Sequence, residues 1–455
     1  MDLSSHIFRE YDIRGIVEKD LDPQVTRQVG RAYATVLRET GSDSPTVVVG
    51  QDNRPSSPWL AEGLIQGLTS AGANVLDIGT VPTPLVLWAE KRLGADGGIQ
   101  ITGSHNPPEY NGIKMSMGGE SFFGQAIQEL RDRILSGRLV EGQGEVTRKE
   151  MIPSYIQELT RGFKLDRPVR VVVDCGNGAG ALVAEELLKG IGAEMIPLFC
   201  ESDGTFPNHH PDPTVDEYLE DLIRLVKEHD AEVGIAFDGD ADRIGAVDEN
   251  GTVVRGDLLL LLFGLDILAQ RGPGQKLVFD VKCSQVLPEV FEAAGGEPIM
   301  WKTGHSHMKA RMRKEDAPLG GELSGHICFA DEYIGIDDAL YCACRLVDLL
   351  DRSKKPLSQM VSAFPQYFST PEIRIEVDEE KKWEVVERAL EHFSKSHEVI
   401  DVDGARILFG DGWGLLRTSN TQPVIVARFE AKTRERLEEI QGTMEKWLAE
   451  QGVHV

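Results

Sequence analysis

Three aspartates stand at alternate positions in Asp238-Gly239-Asp240-Ala241-Asp242-Arg243. Carboxylates this close repel one another unless a cation neutralises them, and three on one loop suit a hard divalent ion. The strongly apolar run Val233–Phe237 leads into the loop, which argues against a merely solvated acidic turn. An EF-hand is excluded although Glu249 falls at its twelfth position: the sixth position holds Arg243 instead of Gly, and the flanks read as strands. Three ligands leave positions open for water or a phosphate oxygen, as Mg²⁺ requires.

A second chemical centre lies in GIQITGSHNPPEYNGIKM, residues 98–115. Gly103, Pro107 and Pro108 stiffen a turn that exposes Ser104 and His105. No G-x-S-x-G elbow surrounds the serine, so a hydrolase triad is unsupported, although His105 is a candidate base. A phosphoryl group on Ser104 would offer anionic oxygens to the same cation as the aspartates. In GGELSGHICF (320–329), Glu322 and Ser324 alternate, so on an extended segment they share one face and suit adjacent sugar hydroxyls. In LLRTSNTQPVIVARF (415–429), Arg417, Ser419, Asn420 and Thr421 crowd one turn as a candidate phosphate cradle. Further candidates are Tyr11 and Arg14 in REYDIRG, Lys114 after the serine loop, Lys282 in DVKCS, and His305 in a basic, Gly-broken loop. His305 and His307 alone do not make a zinc site.

Alternating strand and helix signals would hold these loops. TVVVGQD, NVLDIG and GGIQIT read as strands, with helices at 57–72 and 85–94 between them, which predicts a mainly parallel α/β sheet. The pattern restarts at VRVVVDCGNGAG (169–180) and at GQKLVFDVKCS (274–284), each opening strand running into an aspartate: Asp52, Asp174 and Asp280. The tail differs, with helices at 379–395 and 433–452 around closely spaced strands, and predicts a smaller α+β domain. The expected domains are 1–150 with the serine loop, 151–253 with the acidic loop, 254–366 with the Glu322 loop, and 367–455 with the Arg417 loop.

A 455-residue chain of 41% hydrophobic and 27% charged residues can bury several cores. Its net charge of −26 argues against nucleic-acid or acidic-membrane partners, while a local basic pocket could still take an anionic small molecule. The run 258–269 is too short to span a bilayer and predicts a buried helix. Six cysteines without a C-x-x-C pair suit free thiols in the cytoplasm. No P-loop pattern is present, so a nucleotide-dependent kinase of that type is disfavoured. Monomer and dimer both remain compatible with the sequence.

TGSHNP, DGDADR, GELSGH and RTSNTQP, in that order along the whole chain, closely resemble the α-D-phosphohexomutase superfamily, and most of all its bacterial phosphomannomutase/phosphoglucomutase group. The resemblance implies three similar mixed α/β domains and a smaller C-terminal α+β domain around a central cleft. It implies phosphoserine at Ser104, and Mg²⁺ held by Asp238, Asp240, Asp242 and a phosphoserine oxygen. Glu322 and Ser324 would contact sugar hydroxyls, and Arg417, Ser419, Asn420 and Thr421 the phosphate that is not reacting. Arg14, Lys114, Arg243, Lys282, His305 and His326 match positive or proton-transferring positions. The implied reaction interconverts hexose 1-phosphate and hexose 6-phosphate through a hexose 1,6-bisphosphate, which also serves as activator. Leu323, where related phosphoglucosamine mutases carry Gln, favours mannose and glucose phosphates. A phosphoglucosamine mutase and a Mg²⁺-dependent sugar phosphatase are the alternatives.

Overall fold

The computed structural model describes residues 4–419 and 423–454. Asn420 and Thr421 therefore lie outside the described residues.

The valines of Thr46–Gln51 show why the first sheet is covered on both faces. Val47 and Val49 point into one core, and Val48 points into another. A strand buried on both sides reads as a continuous apolar run, as parallel strands between helices do. Thr46–Gln51 lies between Asn74–Thr80 and Gly97–Ile101, parallel to both. Tyr110–Met117 then returns antiparallel to Gly97–Ile101, and Ile13–Ile16 pairs on its far side. Burial of each Val or Leu side chain in such a core contributes about 1.5–3 kcal/mol.

The same wiring occurs twice more. Arg170–Asp174 sits between Glu194–Leu198 and Val233–Phe237, with Ile244–Asp248 antiparallel beyond. Lys276–Asp280 sits between Glu297–Trp301 and Leu319–Gly321, with Ile327–Phe329 antiparallel beyond. The expectation of mainly parallel sheets is corrected to mixed ones, because each unit ends on a tight reversal that only an antiparallel strand can follow. The repeat has a functional consequence. The third-to-fourth-strand reversal is the serine loop in the first unit, the acidic loop in the second and the Glu322–His326 loop in the third. Asp52, Asp174 and Asp280 all fall at the exit of the central strand.

The tail forms an antiparallel sheet in the order Phe368–Ser369, Val424–Ala431, Gly412–Thr418, Ala405–Leu408, Glu398–Ile400, with Ile373–Glu376 also on Val424–Ala431. Along Gly412–Thr418 the two-residue period divides the faces. Leu416 packs in the core that contains Phe393, Met444 and Trp447, from helices Glu379–Phe393 and Arg434–Glu450. Trp413 and Leu415 pack on Val281 of the third unit.

Two segments depart from the sequence expectations. His305 is not in a loop. It opens helix His305–Glu315, whose Met308 and Met312 pack on Val278 while six Lys, Arg and His side chains mask the apolar periodicity. An edge strand that the sequence reading did not anticipate, Val146–Arg148, pairs with Asn74–Thr80. Helix Gly256–Arg271 is buried as expected, and helix Ala339–Ser353 packs against the second unit's strand Ile244–Asp248.

Candidate active site

The serine and acidic loops touch across the first two units. A side chain at Gly239 would strike the Ser104 carbonyl oxygen at 2.3 Å, so only glycine lets the loops touch. Ser104 and Ala241 both hold positive φ, 50° and 59°. L-residues in that conformation are strained and persist only when their surroundings fix them.

Arg54 does that fixing at the serine loop. Its guanidinium donates to the carbonyls of Ser104 (2.7 Å), Asn106 (2.6 Å), Pro107 (2.6 Å) and Tyr110 (3.0 Å). Its Nε donates to Asp52 (3.1 Å), and the ring of Phe206, from the second unit, lies beneath it. All five donors of a fully buried arginine are thereby used. The sequence signal was present, in Asp-x-Arg directly after the first central strand, but an arginine among surface-type loop residues gave no reason to single it out.

So held, the buried Ser104 hydroxyl donates to Asp238 Oδ2 at 2.9 Å and lies 3.1 Å from His105 Nδ1. Asp238, Asp240 and Asp242 are all buried and bring oxygens within 4.8 Å of one another. Among the described residues Asp240 Oδ1 and Asp242 Oδ1 have no hydrogen-bond partner, which leaves two buried carboxylate oxygens without a donor. Their other oxygens receive Lys114 Nζ, at 2.8 Å and 2.6 Å, and Thr83 and Thr102 also donate to Asp240. Burial, then the charges of Asp242 and Asp240, push the Asp238 carboxyl well up. Burial would also raise Asp240, but Lys114 and the Thr83 hydroxyl outweigh it and hold that carboxyl down. Burial opposes the charge on Lys114, and Asp240 and Asp242 more than restore it, so this ammonium stays protonated. An all-oxygen, buried, over-negative set with orphaned acceptors fits a hard divalent cation.

The cleft beyond has a volume of about 930 Å³ and is lined by all four units. Ten Arg and Lys residues and seven Asp and Glu residues line it among the described residues, in a chain of net charge −26. Its lining is locally basic in an acidic protein. Ser104, His105, Lys114, Arg243, His305, His326, Tyr11, Arg14, Lys282, Glu322, Ser324, Arg417 and Ser419 all line it. The three aspartates sit behind that surface.

Several cleft cations are matched by carboxylates. Arg14 pairs with Asp12 and donates to Asn106 of the serine loop. Lys282 pairs with Glu372 at 3.1 Å, and Arg417 Nε donates to Asp403 at 3.0 Å. The charge of Lys282 overcomes burial and holds Glu372 down at about 2. Burial works against Arg417, yet Asp403 keeps it firmly charged. Tyr11 donates to the Thr303 carbonyl. Glu322 accepts from Gly304 N at 2.8 Å and from the Ser324 hydroxyl at 2.8 Å, so the two are adjacent on a hairpin turn rather than on an extended segment. Burial, then the charges of Arg243, Arg14 and Lys114, depress His105 well below the ordinary imidazole value. Burial also lowers His305. Glu372 escaped sequence reasoning because it lies ninety residues from Lys282, and Asp403 because it sits on a separate loop 14 residues before Arg417 with no spacing that marks the pair.

Four successive family models cover the chain: phosphoglucomutase/phosphomannomutase α/β/α domain I at residues 5–140, domain II at 153–251, domain III at 255–368, and the C-terminal domain at 372–446. The chain belongs to the phosphoglucomutase/phosphomannomutase family. It is 44% identical to the phosphomannomutase/phosphoglucomutase of Pseudomonas aeruginosa over 440 residues, 96% of this chain and 94% of that protein. It is equally identical, over 444 residues, to a phosphoglucomutase of Neisseria gonorrhoeae, covering 96% of each chain. The crystal structure of a phosphoglucomutase/phosphomannomutase family protein from Burkholderia thailandensis superposes with a TM-score of 0.92 at 42% identity, covering 98% of this chain and 97% of that one. Family membership accounts for the four-domain plan and for the central cleft. No described helix is long and apolar enough to cross a membrane.

Proposed function

We propose that the cleft interconverts hexose 1-phosphates and hexose 6-phosphates, of mannose and glucose, through phospho-Ser104 and a hexose 1,6-bisphosphate. The observation that carries the proposal is Ser104 Oγ, 2.9 Å from Asp238 in the acidic cluster and opening into a basic cleft that also contains Arg417 and Ser419.

Phosphoryl transfer asks for positioning and charge neutralisation more than for new covalent chemistry. Asp238, Asp240 and Asp242, with a phosphoserine oxygen, would hold Mg²⁺, which when bound neutralises charge on the phosphoryl oxygens. Lys114, Arg14 and Arg243 line the same end of the cleft and offer donors to the charge that develops there. Arg417 and Ser419, with Asn420 and Thr421, grip the distant phosphate, while Glu322 and Ser324 accept and donate to neighbouring sugar hydroxyls. Lys282 and Glu372 set the charge between those two ends.

In the first half-reaction a sugar hydroxyl attacks phosphorus. The O–P bond to the sugar forms as the bond to Ser104 Oγ breaks; the sugar hydroxyl proton goes to a base, and Ser104 Oγ leaves with the electron pair that it uses to attack the second phosphoryl group. Lys114 is a poor base, since its ammonium is held by two carboxylates. His326, at the cleft surface beside Arg243, is the better one. The bisphosphate then turns end for end and returns its other phosphoryl group to Ser104. Added hexose 1,6-bisphosphate would rephosphorylate an enzyme that has lost its phosphate, hence its role as activator. Six free thiols suit a cytoplasmic enzyme drawing on cytoplasmic sugar phosphates.

The test is turnover of mannose, glucose and glucosamine 1-phosphates side by side, with Mg²⁺ and a trace of bisphosphate. Mannose and glucose phosphates should both turn over, and glucosamine phosphate far more slowly. A preference for glucosamine phosphate would overturn the assignment of sugar class, and release of inorganic phosphate as the main product would replace mutase with phosphatase.

A further inference from the structure

His326 is addressed from both sides of its ring. Arg243 Nε donates to His326 Nε2 at 2.9 Å. A guanidinium has no acceptor atom, so Nε2 presents a lone pair, and in the neutral ring the proton sits on Nδ1. That Nδ1 lies 3.2 Å from Asp337 Oδ2 and 3.6 Å from Asp242 Oδ1. Among the described residues none of these three atoms completes a hydrogen bond, so His326 Nδ1 and Asp337 Oδ2 face each other at contact distance with no competing hydrogen bond. The same Asp337 oxygen lies 3.0 Å from His305 Nδ1, and the His305 ring stacks on His326 with centroids 5.1 Å apart. The other Asp337 oxygen accepts from Lys309 Nζ at 2.7 Å. Asp337 is buried, and it follows strand Ile327–Phe329, to which its backbone is bridged at Cys328. His305 and Lys309 come from one helix, four residues apart. One carboxylate thus faces three donor groups from two elements, the helix and the turn that carries His326.

Asp242, His326 and Asp337 are close enough together to hold a metal. A metal at Nδ1 would need that atom's lone pair and would put the proton on Nε2, N–H against the N–H of Arg243. The arrangement is therefore that of an imidazole oriented by a carboxylate, as in the Asp–His half of a hydrolase triad. Asp242 is shared with the acidic cluster, so Asp337 is the partner free to serve His326.

We infer that Asp337 is a positioning residue for proton transfer, fixing His326 as the Nδ1–H tautomer with its Nε2 lone pair toward the cleft. The inference rests on His326 being the proton carrier. The sugar O–H bond breaks as an N–H bond forms at Nε2, once Arg243 turns from Nε2 to the phosphoryl oxygens. The resulting imidazolium is stabilised by the Asp337 carboxylate, and in the second half-reaction the proton passes to the sugar oxygen from which phosphorus departs to Ser104 Oγ.

Asp337→Asn keeps the shape and reverses the hydrogen-bond logic. Lys309 can only donate, so it holds the amide oxygen and turns the amide N–H groups toward both Nδ1 atoms. His326 must then carry its proton on Nε2. Nitrogen-15 NMR of histidine-labelled full-length protein reads this directly, with the His326 signal assigned by its loss in His326→Gln. The expected result is Nδ1–H at His326 in the wild type and Nε2–H in Asp337→Asn. Turnover number should fall about 10³–10⁴-fold, with KM within about 3-fold, because the wrong tautomer blocks proton transfer and leaves sugar binding alone. A wild-type spectrum showing Nε2–H overturns the inference, however the variant folds. Wild-type turnover and tautomer in Asp337→Asn, with His326→Gln inactive, overturns Asp337 alone. Full activity in His326→Gln overturns the underlying assignment of the proton carrier.

Discussion

Arg54→Lys separates loop positioning from substrate binding. Arginine 54 places five donors on four carbonyls of the serine loop and on Asp52. Lysine has three donors, so at least two buried acceptors lose their partner. Each such acceptor costs about 1–3 kcal/mol, which gives a local destabilisation of about 2–6 kcal/mol. The cost falls on the segment that holds Ser104 at its strained φ of 50°, so the expected failure is a serine that wanders rather than a chain that unfolds. A displacement of about 1 Å is enough to cost about 100-fold in a reaction that depends on alignment. The groups that grip the sugar and the distant phosphate lie on other units, which predicts a KM within about 3-fold of wild type. Steady-state kinetics should show the split, and hydrogen exchange should show faster exchange confined to residues 103–110. An Arg54→Lys protein with wild-type kcat and wild-type exchange would refute the positioning argument. Equal losses in kcat and in global urea stability would refute its confinement to the loop.

Asp240→Asn removes one of the two orphaned acceptors' carboxylates and one Lys114 partner, so calorimetry should show Mg²⁺ binding weakened at least 10-fold, with turnover falling in step; unchanged Mg²⁺ affinity would remove the acidic loop from the metal site. His209 does not line the cleft. Burial pulls its pKa down, but the hydrogen bond and charge of Asp174 outweigh burial and raise it. A raised folded-state value means the charged form gains from folding. That stability is fully present below about pH 6.5 and is lost as pH rises through the folded-state value. His209→Gln should flatten this fall in urea stability above pH 6.5, and an unchanged slope would assign it to other groups. Glu372→Gln should leave Lys282 unmatched in the cleft and tighten binding of inorganic phosphate several-fold, read by competition against substrate; weaker binding would show that Glu372 chiefly positions the lysine.

The strands and the four site loops were legible because each carries its signal locally. Val47–Val49 and Val171–Val173 are short apolar runs closed by polar turns, and DGDADR bunches its charge within six residues. The threefold wiring was visible only as three strands leading to Asp52, Asp174 and Asp280, since which strand lies central is decided by pairing between distant segments. Helix His305–Glu315 was hidden because its buried face is two methionines among basic residues. Arg54, Asp337, Glu372 and Asp403 were missed for a common reason. Each acts on a group brought near by the fold, such as carbonyls about fifty residues away for Arg54 and a lysine ninety residues away for Glu372, and even the 28 residues between Asp337 and Lys309 or the 14 between Asp403 and Arg417 form no spacing that marks a partner.

The account turns on a covalent bond at Ser104. Dephosphorylated enzyme incubated with ³²P-labelled glucose 1,6-bisphosphate should take up one phosphoryl group, and peptide mass spectrometry should place it on Ser104. The label should pass to added hexose monophosphate, and Ser104→Ala should take up none and convert no substrate. Labelling at another residue, or mutase activity in Ser104→Ala, would contradict the account.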